Sequence, residues 1–210
     1  MTDVPAVYGR TMASWSDMYR DVPPWDIGQP QPAFVALHAS GRLPKGKLLD
    51  AGCGTGENAL FFASKGYGVV GVDITPRAIK LAKAKSRDRE IAAHFRVGDA
   101  LRFSQLRTSF NVVIDSGLFH TFSDEDRPVY ASGIAHILRK AGVFAMICFS
   151  EKEPADWGGP RRVRREEIEA SFEPFLAIEE IRRTRFATRR HRGGGGFAYL
   201  TITRKDSSRR

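Results

Sequence analysis

Leu48-Leu49-Asp50-Ala51-Gly52-Cys53-Gly54-Thr55-Gly56-Glu57-Asn58 is the stretch that decides the fold. An apolar run ends in an acid, and three alternate glycines then turn the chain into a helix. Glycine adopts left-handed backbone angles and lets a ligand come close to the main chain. The helix start that follows offers unpaired N–H groups. Further along, short apolar runs at 68–73, 93–97, 110–115 and 142–149 repeat the pattern of 47–51, each bounded by Gly or Asp. Such runs suit strands buried on both faces of a parallel sheet. Helical patterns fill the gaps at 57–65, 76–87 and 124–140, with Pro76 in a first turn and Gly66 and Gly142 as stops. Only a short connection separates the third and fourth strands. The alternation predicts an α/β fold with helices on both faces, and in that architecture ligands bind beyond the carboxyl ends of the strands.

The flanks read differently. Ahead of the core, residues 7–19 space Val7, Met12, Trp15, Met18 and Tyr19 as on a helix. A Pro-broken stretch and a short helix at 33–40, stopped by Gly41, follow. Behind the core come a polar segment at 150–162, a helix at 165–172, and strand-like runs at 175–183 and 197–204. An Arg/Gly segment parts these last two runs, so they are expected to pair as an antiparallel hairpin.

Composition bounds the function. With 42% apolar and 27% charged residues in 210, the chain can bury a full core. Wholesale disorder, a fibre and a disulfide scaffold are excluded. The longest apolar run falls far short of the roughly 20 residues that a membrane span needs. Residues 1–10 carry acid, Pro and Gly rather than a secretory signal. Cys53 and Cys148 suit reduced thiols, so a soluble, cytoplasmic protein is expected. The net charge is +9, and the last 60 residues hold 15 Lys/Arg against 10 Asp/Glu, concentrated at 161–165 and 182–192. Basic excess attracts nucleic acid and small anions alike.

Acids stand at four successive strand ends: Asp50, Asp73 followed by Ile74, Asp99 followed by Ala100, and Asp115 followed by Ser116. A carboxylate at Asp73 can take two hydrogen bonds from a ribose diol, and one at Asp99 can accept from an adenine amine. Each acid has a plainer reading as a cap or turn residue. The glycines fit a nicotinamide-cofactor loop poorly. Their spacing is G-x-G-x-G rather than G-x-G-x-x-G, an acid precedes them, and Glu57 opens the helix. A carboxylate there repels a pyrophosphate but suits a cofactor bearing an ammonium and a sulfonium.

The run DAGCGTG, with VDI, GDA and DSGLFH at the later strand ends, closely resembles the class I S-adenosylmethionine-dependent methyltransferases over residues 47–150. That resemblance implies a Rossmann-like, doubly wound, seven-stranded sheet, mostly parallel with an antiparallel C-terminal hairpin. It implies S-adenosyl-L-methionine as cofactor and S-adenosyl-L-homocysteine as product. Gly52, Cys53, Gly54 and Gly56 would cradle the methionine end, Asp73 would hold the ribose, and Asp99 and Ala100 the adenine, with Asp50 and Ile74 also among the cofactor-binding residues. Asp115 and Ser116 would flank the methionine amine. One domain is expected over 1–210, with a helical lid at 1–42, a cofactor core at 47–150 and a substrate-side segment at 151–210.

Trp15-x-x-x-Tyr19 and Val22-Pro23-Pro24-Trp25-Asp26-Ile27-Gly28-Gln29-Pro30 look like the thiopurine, halide and tellurite-resistance branch, closest to the heterocyclic toxin methyltransferases. In that branch a W-D-x-G-x-P-type lid folds over the cofactor. Where halide relatives carry a second Trp this chain has Tyr19, which also offers an aromatic face. Such faces stabilise a sulfonium, so Trp15, Tyr19 and Trp25 are expected at the cofactor, although the first two also read as packing anchors.

Methyl transfer is an in-line displacement in which positioning dominates. His120 is the expected catalytic group, either as a base or by fixing the acceptor or the loop through a hydrogen bond. His38, His94, His136 and His191 lack metal-ligand spacing and read as incidental; no metal is expected. Phe119, Phe122 and Trp157 are expected to enclose a small aromatic or heteroaromatic acceptor, with Arg161 or Arg162 pairing an anionic substituent. The expected reaction methylates a nitrogen, oxygen or activated ring carbon of a quinolone- or indole-like molecule. The alternatives are an RNA methyltransferase using the Arg-rich tail and a non-catalytic cofactor-binding module. Nucleic acid is disfavoured because DSGLF replaces the N/D-P-P-Y/F motif of amino-methylating enzymes. No membrane partner is expected, and the assembly is expected to be a monomer or weak homodimer.

Overall fold

The computed structural model describes residues 12–206 apart from 155, 157 and 192, with side chains from residue 15 onward. Helices α1 (Met12–Met18) and α2 (Pro32–Ala39) lead into β1 (Lys47–Ala51), α3 (Glu57–Ser64), β2 (Gly68–Asp73), α4 (Pro76–Asp88) and β3 (His94–Val97). A 3-10 turn at Ala100–Gln105 stands where a crossover helix would lie. β4 (Phe110–Ser116), α5 (Asp126–Ile137), β5 (Leu138–Phe149), α6 (Arg165–Phe172), β6 (Ala177–Phe186) and β7 (Gly196–Arg204) complete the chain. The seven strands run β3-β2-β1-β4-β5-β7-β6, parallel through β5 and antiparallel over β7 and β6. This is the expected doubly wound sheet with its reversed hairpin.

Side chains alternate across the strands, so each near-continuous apolar run feeds two layers. Leu48, Val112, Ile114, Ala145 and Ile147 meet Phe34 of α2, Leu60 and Phe62 of α3 and Ile79 of α4. On the opposite face Leu49, Val113, Phe144, Met146 and Cys148 meet Tyr130 and Ile134 of α5 and Phe172 of α6. β1 pairs with both β2 and β4, whose connections leave on opposite faces, and this opens a crevice at the carboxyl ends of β1 and β4.

The largest departures from the sequence expectation lie at α5, β5 and β6. α5 stops at Ile137 instead of running to residue 140, because Leu138 turns extended and pairs with Phe110. Lys205 Nζ caps the freed carbonyls of Ala135 and Leu138 at 2.7 and 3.0 Å. Gly142 is therefore not a helix stop. It lies inside β5, where a Cβ would come 2.8 Å from Arg139 O, and Ala141 carries the left-handed φ of 58°. β6 begins at Ala177 and continues to Phe186, three residues beyond its expected end, because Phe186 still pairs with Gly196 of β7. Of the helix expected at 7–19, the part from Met12 to Met18 is present and Val7 lies outside the described residues.

Gly71, in mid-β2, has no room for a side chain: a Cβ would lie 2.6 Å from Phe95 Cδ1 and 2.9 Å from Cys53 Sγ. Gly71→Ala is expected to cost about 1–3 kcal/mol of stability by overpacking, read as a lowered urea midpoint at unchanged slope.

Candidate functional site

Gly52, Gly54 and Gly56 have φ of 67°, 53° and 90°, the left-handed region that favours glycine. These angles fold the loop back so that Gly52 N and Cys53 N both donate to Val72 O of β2, at 2.8 and 3.0 Å. Each glycine also makes room for a different neighbour. A Cβ on Gly52 would meet Leu118, one on Gly54 the Tyr19 hydroxyl at 3.1 Å, and one on Gly56 the Phe95 ring at 2.9 Å. Cys53 points inward, and burial pushes its thiol well above the usual range.

The four strand-end acids meet four different fates. Asp73 is buried and accepts from Gly54 N at 2.9 Å and Thr75 N at 2.8 Å. Asp115 accepts from Leu118 N, Phe119 N and the Tyr130 hydroxyl, at 2.7, 3.0 and 2.9 Å, which commits both of its oxygens to the turn after β4. Burial raises it to about 7 despite these donors. That leaves Ser116, half-buried on the crevice wall, as the β4 residue facing a ligand. Asp99 accepts from Leu101 N at 2.9 Å and caps the 3-10 turn that Ala100 begins. Asp50 is 1% exposed, and neither of its oxygens has a hydrogen-bond partner. Burial, and then the neighbouring Asp115, push its carboxyl well above the ordinary range; the Ala59 N–H offsets this from outside hydrogen-bond geometry. Ile74, 38% exposed, and Val97, 49% exposed, add an apolar shelf at the ends of β2 and β3.

The lid residues reach this loop. Trp25 stands edge-on to Trp15 and Tyr19, each 6.0 Å away between ring centres, and donates from Nε1 to the Tyr19 hydroxyl at 3.2 Å. Asp26, part of the lid motif but given no role from the sequence, accepts from Thr55 Oγ1 at 2.6 Å, and Lys85 Nζ of α4 donates to Thr55 Oγ1 at 2.7 Å. Lys85 also pairs with Glu57 at 2.7 Å, and Arg89 takes both Glu57 oxygens at 2.7 and 2.8 Å. Burial draws the Asp26 carboxyl upward, but the Thr55 hydroxyl and the Lys85 ammonium bring it below its ordinary value. Glu57, the acid that argued against a pyrophosphate, is thus neutralised by two cations.

The acceptor side is arranged otherwise than expected. His120 is buried, stacked on Phe149 at 5.3 Å, and its Nδ1 accepts from Phe149 N at 3.2 Å. Burial, then the positive Arg162 and Arg127, lower it to about 3. A neutral imidazole with Nδ1 engaged suits holding the loop, the other role weighed for it, better than taking a proton. Phe119 is fully buried against Phe172 and Tyr130 and is a core residue. Phe122 packs 4.9 Å from Tyr130, and Trp157 lies outside the described residues. Arg161 bonds Asp124 and Glu167, and Arg162 bonds the carbonyls of Pro154 and Pro160, so both serve the loops. His191, read as incidental, joins Glu153 at 2.6 Å and Thr188 at 2.6 Å.

The cofactor implied by the motif carries two positive centres, and the residues present fit a cation. Among the described residues, a buried carboxylate without a hydrogen-bond partner lies behind the loop, Asp73 and Asp115 end the adjoining strands, and the aromatic Trp25 lines the crevice. Lys85, at the loop, is held by Glu57 and Asp26.

A model described as a methyltransferase domain matches residues 48–142. A 2-heptyl-1-hydroxyquinolin-4(1H)-one methyltransferase of Mycobacteroides abscessus is 33% identical over 177 residues, spanning 83% of this chain and 76% of that protein. A probable thiol methyltransferase of Arabidopsis thaliana is 31% identical over 138 residues, 65% of this chain and 60% of its own length. A solved structure described by the conversion of a disulfide bond into a thioacetal group during echinomycin biosynthesis superposes with a TM-score of 0.86 at 33% identity, covering 94% of each chain.

Two variants test the geometry. Asp26→Ala should free the lid and speed amide exchange at Gly28 and its neighbours about 5- to 100-fold, since a charged hydrogen bond contributes about 1–3 kcal/mol, while the sheet amides stay unchanged. For His120 the folded value lies below the unfolded value of about 6.5, so its stabilisation is complete above that pH and is lost as pH falls toward about 3. Relative to His120→Gln, the native chain should lose about 2 kcal/mol between pH 8 and pH 5, measured by urea titration at each pH.

Proposed function

This chain belongs to the S-adenosylmethionine-dependent methyltransferases, and from that premise we propose that it methylates a nitrogen, oxygen or activated ring carbon of a small heteroaromatic molecule of quinolone or indole type. The carrying observation is the unmatched Asp50 carboxylate behind a glycine cradle roofed by Trp25 and Tyr19. When bound, S-adenosylmethionine supplies an electrophilic methyl group on a sulfonium centre and leaves as S-adenosylhomocysteine.

The chain's own residues bind, orient and exclude water. Asp50 draws in the ammonium. Asp73, oriented by Gly54 and Thr75, keeps lone pairs for the ribose diol. Ile74 and Val97 flank the adenine, and Trp25 of the lid offers an aromatic face to the cationic end, where exclusion of water strengthens every charge interaction. His120 holds the turn after β4. The Mycobacteroides abscessus relative, named for a hydroxyquinolinone, supports a flat heteroaromatic acceptor.

The test is mass spectrometry of the protein incubated with S-adenosylmethionine and a panel of hydroxyquinolones, indoles, thiols and halides, with bulk tRNA alongside. One added methyl group on a hydroxyquinolone or indole is the expected product. Methylation of thiols or halides alone would replace the heteroaromatic acceptor. Methylated tRNA with every small molecule silent would move recognition to the Arg-rich hairpin.

A further inference from the structure

The tip of the β6–β7 hairpin carries a hydroxyl and an imidazole that are bonded in sequence to a carboxylate from the segment after β5. Glu153, in the segment after β5, is 4% exposed. Its Oε2 accepts from Phe197 N at 2.7 Å, and its Oε1 lies 2.6 Å from His191 Nε2. An ionised carboxylate only accepts, so the proton belongs on Nε2, and His191 Nδ1 turns its lone pair to the Thr188 hydroxyl, 2.6 Å away. Gly196 makes the approach possible: a Cβ there would lie 2.8 Å from Glu153 Oε2 and 2.6 Å from the Phe149 ring.

Thr188 sits against the lid. Its neighbour Ala187 exchanges two hydrogen bonds with the buried Gln31 side chain, at 2.9 and 3.0 Å, and Arg189 N donates to Pro24 O at 2.8 Å. Pro24 precedes Trp25, which lines the crevice beside Gly54 and Ser116. The Thr188 hydroxyl donates to His191, takes Arg190 N at 3.3 Å on one lone pair, and has a second for an incoming proton.

We propose that Thr188, His191 and Glu153 form the proton relay for the acceptor molecule, the role the sequence offered to His120. The inference rests on the acceptor reading above. As the acceptor heteroatom bonds the methyl carbon, its proton passes to Thr188 Oγ1 while the hydroxyl's own proton passes to His191 Nδ1. The carbon–sulfur bond breaks with its pair going to sulfur, and Glu153 balances the imidazolium. The charged and titratable groups described near His191 are Glu153, which bonds it, Arg162 and the neutral His120, which pack on the same Phe149 ring as His191, and Arg190, its neighbour in sequence.

His191→Gln, Thr188→Val and Glu153→Gln are compared with the native enzyme on a hydroxyl-bearing panel acceptor that is neutral at pH 7, from pH 6 to 10. The relay predicts kcat lowered about 100-fold or more at pH 7 by His191→Gln and Thr188→Val. Rate should return above the acceptor's own pKa, with KM and S-adenosylhomocysteine affinity within about threefold of native. Equal losses at every pH, or none, overturn the relay. If the native enzyme turns over no panel molecule, the acceptor reading fails on its own account and the 15N shifts of the His191 ring decide the relay. A proton on Nε2 that moves in Glu153→Gln upholds the arrangement, and a proton on Nδ1 overturns it.

Discussion

Carboxylates buried without basic partners are the constraint on which the rest of this structure depends. Asp50, Asp73 and Asp115 end three adjoining strands, and burial raises all three above the ordinary carboxylate range. Taking a charge out of water costs several kcal/mol unless hydrogen bonds replace the lost hydration. The backbone around Asp73 and Asp115 is shaped to supply them. Gly54 takes its left-handed angle and presents its N–H to Asp73, and the turn after β4 aims two N–H groups at Asp115. Asp50 receives none in hydrogen-bond geometry among the described residues, and the Ala59 N–H only partly offsets its burial. The loops that form the crevice thus follow from where these acids lie.

A second set of acids shows the opposite treatment. Glu57 and Asp26, at the mouth of the same loop, are brought below their ordinary values by bonds to Arg89, Lys85 and Thr55. Lys85 of α4 and Arg89, just beyond its end, are engaged at the rim, and the interior acids have no basic partner among the described residues. A pyrophosphate would meet negative charge inside and engaged cations outside, whereas a ligand bearing an ammonium and a sulfonium meets the charge it needs. Because Lys85 bridges Thr55 of the loop, Glu57 of α3 and Asp26 of the lid, the same cation that quiets the rim also closes the cover.

What could be read in advance follows from the range of the interactions. β1, β2 and the limits of α6 were legible because period and punctuation are local properties. So was the hairpin, since two apolar runs parted by an Arg/Gly segment have few other ways to bury their faces. The end of α5 was not legible, because Leu138 leaves the helix to satisfy Phe110, 28 positions away, and a lysine near the chain's end caps what remains. The bonding of the histidines was not legible for the same reason. His120 looked functional from its place beyond β4, and His191 looked incidental inside a Gly/Arg tract. Their roles rest on bonds to Phe149 and Glu153, 29 and 38 positions distant, which no spacing announces. Arg161 and Arg162 appeared ready for a ligand because a sequence cannot show that Asp124, Glu167 and two proline carbonyls already hold them.

The two halves of the crevice are built on different principles, and this bears on specificity. The cofactor half rests on regular strands whose ends cannot shift without disturbing the apolar layers on both faces. The other half is assembled where three irregular pieces touch: the lid loop, the segment after β5 and the hairpin tip. These are joined by few bonds, chiefly Gln31 to Ala187, Pro24 to Arg189 and Glu153 to His191 and Phe197. Changes of side chain there alter the shape of that surface at little cost to the sheet. A fold of this kind keeps one methyl donor and varies what receives the methyl group, because the charge problem that secures the donor lies in the rigid half.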